Sequence, residues 1–300
     1  MEMDLAPFAG VVFDVILFAF VYFISSACGF SVWFFNREAW KESGSNKVLT
    51  QALARSWLDT GLVTGILGTS IGLMGVVNST DFVDIDKLYS IMPIVLGTFL
   101  WGGLFTGLGY CLIDPDSPIQ YKIKPSHILP ISVIFLACLF QHVGQTGKPV
   151  VDFLNSYSVS YYASILLCIM TFVAIWHRGK KPIVVIANNA NLVATLGGMA
   201  MGISLWFVEG ADYEASKDAI YFIANILMLG SLVYLFLYLF SLLFGRTGEC
   251  NYQTKSWHFA EATAFFLFLV YAPVGTTEFL RESTDQANQQ ANNEAQELRI

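Results

Sequence analysis

Residues 60–77 read Thr-Gly-Leu-Val-Thr-Gly-Ile-Leu-Gly-Thr-Ser-Ile-Gly-Leu-Met-Gly-Val-Val. No side chain here carries a charge, and as a helix rising about 1.5 Å per residue the stretch is long enough to cross a hydrocarbon layer of about 30 Å. Gly61, Gly65, Gly68, Gly72 and Gly75 recur at spacings of four, three, four and three, which puts all five on one helix face. In lipid no hydrophobic drive pulls helices together, so such a face serves close backbone packing. Beside polar groups such as Thr64, Thr69 and Ser70 it also suits an ion path, although hydroxyls in membrane helices often bond back to their own carbonyls. Both readings stand at this level.

The rest of the chain has the same character. Of 300 residues 55% are hydrophobic and 13% charged, which excludes disorder, a coiled coil and an ordinary soluble domain. Apolar runs fall near Phe8 to Phe35, Thr60 to Val77, Leu88 to Ile113, His127 to Val143, Tyr157 to Trp176, Ile183 to Val208, Ala219 to Phe244 and Trp257 to Phe279. The fold class is all-α, a polytopic membrane helix bundle of about eight spans. Arg37, Lys41, Lys47 and Arg55, then Lys122 and Lys124, then Arg178, Lys180 and Lys181, then Arg246 and Lys255 put eleven of the sixteen positive charges on alternate connections, which are therefore cytoplasmic. Asp81, Asp84 and Asp86, and Glu209, Asp212, Glu214 and Asp218, mark outer connections, and both termini fall outside. Met1-Glu2-Met3-Asp4 puts acids where a cleaved leader needs positive charge, so the first span is expected to stay.

The net charge of -7 and the lack of a basic patch with interleaved aromatics exclude nucleic acid. Cys28, Cys111, Cys138, Cys168 and Cys250 have no metal or disulfide spacing and read as packing residues, so no metal and no cofactor are expected. No Ser/His/Asp arrangement, HxxEH or phosphate loop is present, and an enzyme is not expected.

A shift of about 130 residues lays Leu62-Val63 on Leu192-Val193, Gly68 on Gly198 and Gly72 on Gly202. With four spans per unit the copies would share one orientation, giving two parallel repeats. On that division residues 1–125 form a first repeat with core pair 60–113, and residues 126–245 a second with core pair 183–244. Residues 246–280 hold a final span, and residues 281–300, rich in Gln, Asn and Glu, an exterior polar tail.

Gly65-Ile66-Leu67-Gly68-Thr69-Ser70-Ile71-Gly72-Leu73 and Thr98-Phe99-Leu100-Trp101-Gly102, with the acidic Asp84-Ile85-Asp86-Lys87 between them, resemble the core helix pair of the MotA/TolQ/ExbB ion-channel family over residues 58–114. The resemblance implies a proton- or sodium-conducting subunit of a bacterial inner membrane, forming a homo-oligomer around a single-span partner whose helix carries an acid. Thr69, Thr98 and Ser70 would line the path. The chain departs from the family at Leu62, in place of the flagellar proline, and at Phe99, in place of a second threonine, and its first inner connection, about Asn36 to Asp59, leaves no room for the family's cytoplasmic domain.

Ionisable residues inside apolar runs are functional candidates by default. Asp14, within Val11-Val12-Phe13-Asp14-Val15-Ile16-Leu17, either belongs to the ion path or reaches outer water. His258 and Glu261, three apart on one face, suit a proton relay or an exposed interfacial cap. His142 is expected at the outer end of the fourth span, touching headgroups or water. Asn188, Asn189 and Asn191 need partners inside the bundle, and Asn191 with Thr195 would bind solute in the alternative of a parallel-repeat small-solute transporter. A third alternative is a structural subunit of a larger membrane complex.

Overall fold

The computed structural model describes residues 14–37, 45–78, 85–114, 116–117, 119–144, 156–177, 180–209 and 213–270. All regular structure among them is helical: α1 Val15–Asn36, α2 Ser45–Asn78, α3 Ile85–Leu112, α4 Ile128–Gly144, α5 Ser156–Trp176, α6 Ile183–Glu209, α7 Tyr213–Phe244 and the short α8 Thr247–Cys250, followed by helical residues 252–270. Seven of these helices are long and apolar enough to cross a membrane, which makes the chain an integral membrane protein of polytopic helical type. The eighth predicted span is helical through residue 270; its remainder, the acidic outer connection 79–84, the polar tail and both termini lie outside the described residues.

Local sequence explains the helix ends. Asp14 caps α1, its Oδ1 accepting from Ile16 N at 2.8 Å. Pro125 opens the turn of 3₁₀ helix leading into α4, and Pro182 precedes α6, where a missing N–H costs nothing. Gly245, at φ 66°, terminates α7 while Arg246 N donates back to Ser241 O at 2.8 Å. At the end of α3 the Gln51 amide reaches across from α2, donating to Leu112 O at 2.8 Å and accepting from Asp114 N at 2.6 Å.

The helix of the glycine stretch is the hub. α2 packs most extensively on α3, and also on α1 and α7. Its apolar window is 89% buried against 11% for α5, which turns Leu167, Phe172, Ile175 and Trp176 outward as a lipid-facing helix does. The expected inner connection from Asn36 to Asp59 is corrected here: from Ser45 onward it is helix, continuous with the glycine span. Amphipathic entry hid this, because the charges of Lys47 and Arg55 interrupt a hydropathy window without interrupting backbone hydrogen bonding.

The ends of α1, α3, α4 and α7 near the basic residues gather in one place. Asn36 Nδ2 donates to Gln120 O at 3.0 Å, Ile123 N donates to Leu242 O at 3.3 Å, and Lys47 stands 3.5 Å from the Asp114 carboxylate. This is the basic end of the bundle. By compactness the chain divides into Met1–Ala260, which holds all these contacts, and Glu261–Ile300, of which residues 261–270 are described as helix.

Candidate functional site

The residues singled out in the sequence fall in four places. The glycine face lies on α3. A Cβ on Gly61 would stand 2.6 Å from Thr106 Oγ1, on Gly65 2.7 Å from Thr98 O, and on Gly68 2.8 Å from Thr98 Cβ, all closer than real Cβ contacts; at Gly72 the nearest atom, Val95 Cγ2, is at an ordinary 3.4 Å. Gly75 is half-buried. Thr69 and Thr98 meet across this seam. Thr69 Oγ1 donates to Val95 O at 2.9 Å and lies 3.2 Å from Thr98 Oγ1, with both residues fully buried, while Ser70 donates back to Ile66 O at 2.7 Å. The two threonines are brought together, but they face one another and not an open lumen.

The second group joins α5, α6 and α7. The Tyr162 hydroxyl donates to Asn191 Oδ1, Asn191 Nδ2 donates to Gly230 O at 3.0 Å, and Thr195 Oγ1 donates to Asn191 O at 2.8 Å. These amide and hydroxyl groups are occupied with one another. Asp14 sits at the start of α1 with its carboxylate on the helix cap, and His258 and Glu261 are each exposed. His142 is corrected: it is buried, with Nε2 3.2 Å from Gly68 O and its ring stacked on Phe20 at 4.4 Å. The Gly68 carbonyl and the Phe20 ring are what receive the imidazole, so α4 seals against α1 and α2 there.

The densest ionisable cluster was not among the candidates. Asp59 is fully buried on α2, and its Oδ2 accepts from Arg55 Nε at 2.8 Å one turn earlier. Arg55 is partly exposed, with its guanidinium 5.7 Å from the half-buried Tyr121 ring on the α3–α4 connection. The Tyr238 hydroxyl neighbours the carboxylate, yet Asp59 Oδ1 is buried without a hydrogen-bond partner among the described residues. Tyr234 Oη lies 2.7 Å from both Asp59 O and Tyr252 O, and the rings of Tyr234 and Tyr238 both meet Tyr252 edge-on. Asp59 is eight residues beyond Gln51, which marks the basic end of α3; that places the carboxylate about 12 Å further into the bundle. Outside the spans, burial pushes the Tyr121 hydroxyl up from its ordinary value.

A carboxylate at that depth survives because a guanidinium accompanies it; either charge alone would be costly. The cluster has sequence signals that hydropathy does not weigh: Arg55 and Asp59 are four apart, as are Tyr234 and Tyr238, so each pair shares a helix face. Among the described residues no group of three His, Cys, Asp or Glu could hold a metal ion, and all five cysteines are unpaired.

Fold and site together define a polytopic α-helical membrane protein with a carboxylate–guanidinium pair inside a candidate span. No family model, no curated protein and no solved structure matches the chain.

Proposed function

We propose that this membrane protein translocates protons, with Asp59 as the group that carries the proton and Arg55 as its charge partner. One observation carries the reading: a fully buried carboxylate inside a candidate span with one oxygen on Arg55 and the other, near the Tyr238 hydroxyl, without a geometric hydrogen bond among the described residues. Buried polar atoms left unpaired are costly, and a proton on Oδ1 turns that atom into a donor and relieves the charge. A sodium ion suits the position less, because it needs several oxygen ligands at once, whereas a proton needs only the one free carboxylate oxygen.

The MotA/TolQ/ExbB resemblance assigns the acid to a partner helix. Here the chain supplies its own, and Thr69 and Thr98 contribute a closed polar seam between α2 and α3, with Thr69 about 15 Å further along α2 from Asp59. The basic end would face the cytoplasm, from which Arg55 is reached. Copurification of a single-span acidic partner with a homo-oligomer would restore the arrangement that the resemblance implies.

We further infer two parallel repeats, supported by matched contacts in the two hairpins. Gly65 meets Gly102 as Thr195 meets Gly230, Gly68 meets Thr98 as Gly198 meets Ile226, and Gly72 meets Val95 as Gly202 meets Ile223, each pair offset by about 130 residues. That duplication favours a transporter as the second reading, although solute binding by Asn191 and Thr195 would first have to break their present bonds.

The test is proton flux into vesicles reconstituted with the purified protein under an imposed pH gradient. Asp59→Asn should abolish flux while the protein stays folded, and flux should not depend on sodium. Undiminished flux in Asp59→Asn, or none in the wild type, overturns the reading.

A further inference from the structure

The connection between α7 and the last helix is polar in sequence, Arg246-Thr247-Gly248-Glu249-Cys250-Asn251-Tyr252-Gln253-Thr254-Lys255, and such segments ordinarily lie at the surface. This one is tucked in. Thr247, Cys250, Tyr252, Lys255 and Ser256 are buried, and Cys250 and Tyr252 have no exposure at all. Two side chains hold it by its backbone: Asn188 Nδ2 of α6 donates to Cys250 O at 3.2 Å, and Tyr234 of α7 reaches Tyr252 O. The Tyr234 hydroxyl also touches Asp59 O, so the segment abuts the Asp59 site.

We infer that residues 245–256 form a gate over the basic-end access to Asp59, latched by Tyr234 and Asn188. The inference rests on the proton-carrying role proposed for Asp59, but the gate has its own physical grounds. Tyr234 has a single proton for two carbonyls, each 2.7 Å away, so releasing Tyr252 leaves the hydroxyl still bonded to Asp59 O. Letting go of the latch therefore strands no donor. Seating, in contrast, strands an acceptor: Asn188 Oδ1 is buried without a hydrogen-bond partner among the described residues, and water would satisfy it once the segment lifts. Burial also pushes the Lys255 amine down to about 8, so the seated state works against a charge that prefers water. The backbone provides turning points at both ends of the short helix, Gly245 at φ 66° and Asn251 at φ 51°, the left-handed region where glycine and asparagine are tolerated. A closed state with a reusable latch, an unsatisfied acceptor and two permissive joints is poised to open.

The protein carries its own reporter in Cys250, which is buried in the segment. With Cys28, Cys111, Cys138 and Cys168 replaced by serine, a membrane-impermeant methanethiosulfonate reagent applied to either face of reconstituted vesicles reads the opening of the segment directly. Labelling is expected from the basic face and slow. Tyr234→Phe or Asn188→Ala should each speed it about tenfold, the factor given by one hydrogen bond of ordinary net strength. Unchanged labelling in both variants, with thermal unfolding like the parent's, makes the segment a fixed wedge and overturns the gate. Should both variants fail to fold, amide exchange in the parent decides: faster exchange over residues 245–256 than in the flanking α7 supports the gate, and equal protection overturns it. Asp59→Asn separates the two proposals. Faster labelling in Tyr234→Phe together with undiminished flux in Asp59→Asn keeps the gate and removes the proton site, whereas parental labelling rates throughout with flux lost in Asp59→Asn keeps the proton site and removes the gate.

Discussion

The hairpin α2–α3 and the hairpin α6–α7 bring two membrane helices together with different shares of bare backbone and side-chain contact. In the first, side chains are deleted on both sides: Gly61 and Gly65 face Gly102, and a Cβ on Gly109 would press on Ala54 O and Leu58 N. In the second, the positions opposite the one glycine of α7 carry polar side chains, with Thr195 against Gly230 and Asn191 donating to Gly230 O. The first seam has backbone against backbone with threonine hydrogen bonds across it, whereas the second sets its glycines against side chains and is tied by the Asn191 amide. The difference decides which helix becomes the hub. A helix with a bare face lets a partner pack flush on one side and leaves its other faces for α1 and α7, so α2 is enclosed all round and can shelter Asp59. α6 keeps Val193 and Phe207 exposed.

The largest expected effect lies on α2. Arg55→Ala leaves Asp59 as an uncompensated buried charge and should lower stability by about 3–5 kcal/mol, whereas Arg55→Ala with Asp59→Asn should recover most of the loss. Thermal unfolding in detergent of the two single variants and the double measures this, and additive losses would show that the pair is not coupled.

Next come the glycines. Gly65→Ala puts a methyl against the backbone of Thr98 and Gly102 and should cost about 1–3 kcal/mol with no rescue by trimming a neighbour. Gly198→Ala meets the side chain of Ile226, and Ile226→Ala should rescue it. Equal behaviour of the two would erase the distinction between the hairpins. Smaller again is Tyr162→Phe, which unpairs Asn191 Oδ1 and should cost about 1 kcal/mol in the second hairpin.

Thr69→Val with Thr98→Val should cost about 0.6 kcal/mol per interhelical bond and leave proton flux intact if the Asp59 route is the one used. Loss of flux in a folded double variant would move the path to the threonine seam. The last effect is one of pH. Lys255 has a folded value of about 8, below the ordinary value of 10.5, and faces the Cys250 thiol. Between about 8 and 10.5 the unfolded chain binds the extra proton, so stability should rise with pH across that window, and Lys255→Met should flatten the rise. A melting profile with the same slope in the variant would assign the slope to another group.

Composition and periodicity sufficed for the membrane class and for the long apolar helices. Lipid demands internally bonded segments of a certain length, and that demand is local. The glycine spacing likewise marked the face on which α3 lies, because a missing side chain acts on any neighbour. Asp59 and Arg55 escaped notice because their charges lowered the hydropathy of residues 45–59, and a window average cannot tell a helix entering the bundle from a connection outside it. The position of His142 near the end of α4 points to the membrane surface, yet the ring is buried against a backbone carbonyl at Gly68, 74 residues away. The polar run 246–255 carried no sign of being tucked in, since the groups that hold its carbonyls, Asn188 and Tyr234, belong to two other helices. The chain by itself determined what must avoid water. Which charges and carbonyls would meet inside was decided only in three dimensions, because hydrogen bonds and ion pairs act over a few ångströms between residues far apart in the chain.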